Sequence, residues 1–179
     1  MSKQHILGFF DDLVRTPAFL FLCAMFLCGA VAGGLTGLRA SEGDSAVELT
    51  AFLAQLPGQA LKSMLCALLW IVLAPLCALL RPAPLFLSAV VAARGFVLAL
   101  TMAVGLGQEE GALLSLGMAA LPAMLGVPAL LAACSMVWQS GEAMGRYSLR
   151  ACRAPFAVCL LMAAAGALLR VTFALLWNI

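Results

Sequence analysis

Between Ala93 and Cys134 the chain reads ARGFVLALTMAVGLGQEEGALLSLGMAALPAMLGVPALLAAC, two long apolar runs joined by one polar corner, Gly107-Gln108-Glu109-Glu110-Gly111. Neither run has a polar face. A helix rises about 1.5 Å per residue, so about 20 residues cover the roughly 30 Å hydrocarbon layer of a bilayer. In lipid the backbone must satisfy its own hydrogen bonds, so runs of this length are expected to be helices. The pair predicts a transmembrane hairpin with its corner at a membrane surface.

Composition extends that expectation to the whole chain. Of 179 residues, 65% are hydrophobic and 10% charged, and the mean hydropathy is +1.11. A soluble domain carries about 25% charged residues because its surface faces water. The expected fold is therefore an all-α, polytopic membrane helix bundle of about five transmembrane helices, with short amphipathic interfacial helices. Residues 1–16 form a cytoplasmic lead-in, and 17–179 a single integral membrane domain. Spans are predicted at about 17–38, 61–80, 84–106, 111–138 and 154–177. A net charge of +2 is too small to point to nucleic acid.

Ile6, Phe10, Leu13 and Val14 recur at helical spacing among Lys3, Asp11, Asp12 and Arg15, which predicts an amphipathic surface helix in the lead-in. Pro17 suits the first turn of the first span. That run resembles a cleavable leader in its Ala30-Val31-Ala32 segment, but Asp11 and Asp12 and its continuation to Leu38 favour a retained span. Ser45-x-x-Glu48 reads as a capping box, ahead of a short helix through Leu49, Phe52, Leu53 and Leu56 that Pro57-Gly58 ends. Pro75 predicts a kink in the second span, and Arg81-Pro82-Ala83-Pro84 breaks it.

Gly29, Gly33 and Gly37 stand four apart in the first span, and Gly95, Ala99, Ala103 and Gly107 repeat the device in the third. Such stripes let neighbouring backbones approach closely. They predict that spans one and three pack together.

Six of the seven cysteines fall inside apolar runs, Cys152 lies between Arg150 and Arg153, and His5 is the sole histidine. No disulfide, metal or cofactor is expected; the thiols read as small apolar side chains. With a cytoplasmic N-terminus, Lys3, Arg15, Arg81, Arg146, Arg150 and Arg153 fall inside, against Arg39 outside and Lys62 at the edge of span two. Lysine and arginine are retained on the cytoplasmic side, so the expected topology in a bacterial cell membrane is N-terminus in, C-terminus out.

Arg94 and Arg170 lie within predicted spans, and all eight acidic residues lie outside them. A charge at the bilayer centre costs roughly 3 kcal/mol on insertion scales and marks a functional candidate. Arg170 reads as snorkelling toward outer headgroups. For Arg94 two readings stand: a helix broken at Arg94-Gly95, or a continuous helix with a snorkelling side chain. Intramembrane catalysis would call for Asp, Glu or His at depth, so the chain is expected not to be an enzyme. Ser88, Thr101, Ser115, Ser135 and Thr172 are expected to bond to their own helix backbones.

Several of these features in order resemble the stage II sporulation protein M family of integral membrane proteins. They are the glycine-rich first span, the outer segment ELTAFLAQLPGQ, Trp70 in the second span, Arg94-Gly95 heading a small-residue helix, and Pro122 and Pro128 in the fourth span. The chain departs from the family in carrying the apolar Ala123-Met124-Leu125-Gly126 where members have polar residues. The resemblance implies a non-enzymatic scaffold at the septal membrane, anchoring membrane-held peptidoglycan hydrolases for septal peptidoglycan degradation and engulfment during endospore formation. Its partner surfaces would include Glu48, Glu109 and Glu110. The competing expectation is a small transporter or channel subunit, since a span broken at Arg94 beside a proline-bearing span resembles a substrate site built from discontinuous helices.

Overall fold

A computed structural model of the chain describes residues 15–40, 60–77, 83–106, 112–144 and 153–177. After a turn at Arg15-Thr16 these form five helices: α1 (Pro17–Ala40), α2 (Ala60–Cys77), α3 (Ala83–Leu106), α4 (Ala112–Met144) and α5 (Arg153–Trp177). Four contain stretches long and apolar enough to cross a membrane: Pro17–Arg39, Ala83–Leu106, Ala119–Gln139 and Ala154–Phe173. In α2 the apolar stretch is Leu68–Cys77, within 18 residues of helix that rise about 27 Å. The protein is an all-helical, multi-pass, membrane-embedded bundle.

Of the amphipathic helix expected in the 1–16 lead-in, residues 1–14 lie outside the described residues, as do the Ser45–Glu48 capping box, the Arg81-Pro82 break and the Glu109-Glu110 corner. Helix α4 continues to Met144, past the expected end at Trp138. Hydropathy marks where the solvent changes; the backbone ladder has no reason to stop there.

Local chemistry fixes the start of α1. The Leu20 N–H donates to the Thr16 carbonyl at 3.3 Å, which makes Thr16 the N-cap and Pro17 the first helical residue. Two contacts tie this end to the far end of α4. The Gln139 Nε2 donates to Thr16 Oγ1 at 3.1 Å, and Phe21 meets Trp138 edge to face, with ring centroids 5.6 Å apart.

Helices α1 and α3 run parallel. Gly29 faces Ala92, Gly33 faces Phe96 and Gly37 faces Ala103, so the numbers rise together along both. Helices α4 and α5 run antiparallel, with Gly117 against Phe173 and Gly166 against Pro122 and Leu125.

Helix α4 occupies the middle of the bundle. Every residue from Ala129 to Val137 is buried, as suits a helix that is apolar all round. Leu22 from α1, Ile71 from α2, Leu87 and Val91 from α3, and Cys159 and Ala163 from α5 close around it. Alanines recur in this core, while Leu27, Val31, Met124 and Leu161 point outward. Lipid rewards that arrangement. Helix association there rests on close packing of small residues, because an outward leucine is already in an apolar solvent.

Candidate functional site

The first candidate is the α1–α3 seam. A Cβ on Gly29 would strike the Ala92 carbonyl, one on Gly33 the Phe96 carbonyl, and one on Gly95 the Phe26 carbonyl. At Gly37 it would lie 2.6 Å from the Ala103 Cβ. Three of these four obstructions are backbone atoms, which cannot rotate away as a side chain can. The seam is therefore a backbone-to-backbone contact that only glycine permits. Ala99 is half-buried, and Gly107 lies outside the described residues. Two contributors escaped the sequence reading, Ala92 and Phe96. A bulky residue such as Phe96 gives no small-residue signal, yet its backbone is what Gly33 meets.

The second candidate surrounds Arg94. Helix α3 runs through Arg94-Gly95 without interruption, so the broken-helix reading does not hold. The discontinuous helix that favoured a transporter goes with it. The guanidinium carbon of Arg94 sits 5.5 Å from the Trp70 ring centroid, within the range at which a cation is drawn to an aromatic face. Beside them lies a cavity of about 20 Å³, walled by Trp70 and Ile71 of α2, Arg94 of α3, Pro122 and Gly126 of α4 and Ala163 of α5. Four helices thus converge beside one half-buried cation. Pro122 and Pro128 both sit inside the continuous α4. Pro122 faces the cavity, whereas Pro128 is exposed on the bundle's outer surface.

The remaining polar groups at depth are engaged locally. Ser88 donates to the Leu85 carbonyl at 2.9 Å, Thr101 to Leu98 at 2.7 Å, Ser135 to Ala132 at 2.9 Å and Thr172 to Leu169 at 3.0 Å. Thr36 donates to Gly33 at 2.9 Å. Such back-bonding ties each hydroxyl proton to its own helix. The Ser115 side chain is outside the described set. Cys23, Cys28, Cys77, Cys134 and Cys159 are free thiols, and among the described residues no cluster of His, Cys, Asp or Glu is arranged to hold a metal. Arg170 is half-buried on α5. Glu48, Glu109 and Glu110 lie outside the described residues, so the structure does not place them relative to the seam.

Comparison with known proteins finds no match to a family model, to a curated protein or to a solved structure.

Proposed function

We propose that the chain is a non-catalytic membrane scaffold of the kind its resemblance to the stage II sporulation protein M family implies. It crosses the cell membrane five times, with its N-terminus in the cytoplasm and its C-terminus outside. Its outer connections, around Glu48 and Glu109-Glu110, hold membrane-anchored peptidoglycan hydrolases at the septum.

The observation that carries this reading is the glycine seam between α1 and α3. A backbone-to-backbone contact fixes the spacing of two spans and so holds rigid the ends from which the outer connections leave. Two contacts support the topology. Parallel α1 and α3 require the chain to recross the membrane between them, and α2 is the helix available to do so. The Thr16–Gln139 hydrogen bond brings the start of α1 beside the far end of α4, which supports a reading with four crossings between them.

Charge reversal tests the partner surface. A variant carrying Glu48→Lys, Glu109→Lys and Glu110→Lys is expected to reach the membrane in normal amount. When purified from sporulating cells, it is expected to bring down at least about tenfold less peptidoglycan-hydrolysing activity than the wild type, the effect of losing about 1.4 kcal/mol of binding. Equal activity in the two eluates contradicts the reading.

A further inference from the structure

Residues 41–59, outside the described set, join the end of α1 to the start of α2, and the helices around them limit the path they can take. Gly37 of α1 meets Ala103 of α3, so the end of α1 at Ala40 stands beside the end of α3 at Leu106. This is the end of the bundle opposite Thr16 and Gln139. Helix α1 packs on α3 and α4, whereas α2 packs on α3, α4 and α5. The two points that the segment joins therefore have α3 and α4 between them. Neighbouring helix axes lie about 8–10 Å apart, so helices separated by a third lie about 16–20 Å apart.

The segment carries a piece of matching length. Ser45-x-x-Glu48, then Leu49, Phe52, Leu53 and Leu56 at helical spacing, then Pro57-Gly58 suit a helix over 45–56, about 18 Å long. Beneath its path two leucines are uncovered, Leu38 at 60% exposure and Leu106 at 58%. The apolar spans of α1 and α3 end at Arg39 and Leu106, so both leucines stand where hydrocarbon gives way to water. The buried core does not reach them. Leu22, Val91, Cys134 and Cys159 all belong to the half of the bundle nearer Thr16 and Gln139.

We propose that residues 45–56 lie as a helix across this end of the bundle, with Leu49, Phe52, Leu53 and Leu56 packed on Leu106 of α3 and Leu38 of α1. The rival placement is a helix lying in the lipid headgroups beside the bundle. Neither placement depends on the scaffold reading, and hydrolase co-purification can fail while this contact holds.

Disulfide cross-linking of a cysteine-free full chain in native membranes tests the contact. Leu106→Cys is paired in turn with Leu49→Cys, Phe52→Cys, Leu53→Cys and Leu56→Cys, and with Ala51→Cys from the opposite helical face. At least one of the first four pairs is expected to close within the chain on mild oxidation, and the Ala51→Cys pair is not. Failure of all four, or equal closure with Ala51→Cys, overturns the proposal in favour of the headgroup layer. A product of doubled mass puts a second copy of the chain there and overturns it as well. With the native cysteines in place, Phe52→Ala should lower the thermal midpoint in detergent by about 4 °C or more. An unchanged midpoint overturns the contact.

Discussion

Replacing Gly33 by alanine is expected to lower the unfolding midpoint of the bundle, while the same change one residue along, at Gly34, leaves it level or raises it. Alanine favours a helix over glycine by about 1 kcal/mol, and that gain is common to both sites. At Gly34 a Cβ meets nothing within 4 Å, whereas at Gly33 it would come within 2.8 Å of the Phe96 carbonyl carbon and Cα. Overpacking costs about 1–3 kcal/mol where side chains can yield. Here the obstruction is backbone, so α1 and α3 must move apart and the cost falls at the upper end. Gly29→Ala and Gly95→Ala should behave like Gly33→Ala, for the same reason. Denaturation of the purified variants in detergent checks the pattern. Equal losses at Gly33 and Gly34 would mean that the seam does not exist in solution.

The second large effect is expected at the middle of α4. Ala133 is fully buried, within a run where every neighbour from Ala129 to Val137 is buried as well. Ala133→Leu adds apolar surface, and leucine at a span centre favours insertion by about 0.5 kcal/mol. If hydropathy ruled, the variant would be at least as stable as the wild type. Packing rules instead: three added carbons have no space, and the loss should reach about 1–3 kcal/mol. Met124→Leu on the same helix, 73% exposed, should change stability by no more than about 0.5 kcal/mol. A stable Ala133→Leu would show that α4 is not enclosed by its neighbours.

These two expectations also mark what could and could not be read from the letters. The apolar runs gave the helices away, since no other local structure satisfies their backbones in lipid. Pro17 and the polar corner after Leu106 fixed ends within a residue or so. The end of α4 was not legible, because Gln139 to Met144 are polar enough to leave the membrane yet able to continue a helix.

The glycine triplet announced a close approach but not its far side. Ala92 and Phe96 contribute carbonyl groups, and every residue carries one. The Arg94–Trp70 contact was hidden for another reason. The two residues come from different helices, and nothing local in either stretch of sequence pairs Trp70 of α2 with Arg94 of α3. The choice between a broken and an unbroken α3 rested on Gly95, whose absent side chain serves interhelical contact with Phe26 rather than local unwinding.

The claim on which the topology rests is that α2 crosses the bilayer, although its apolar stretch is the shortest among the described residues. Single cysteines placed at residues 45, 81, 109 and 147 in a cysteine-free background, and labelled from outside intact cells with a membrane-impermeant maleimide, test it most directly. Five crossings predict strong labelling at 45 and 109, and none at 81 and 147 until the cells are opened. Labelling at 81 and 147 with protection at 109 would mean that α2 stays on one side, and would contradict both the parallel α1–α3 seam and the Thr16–Gln139 contact.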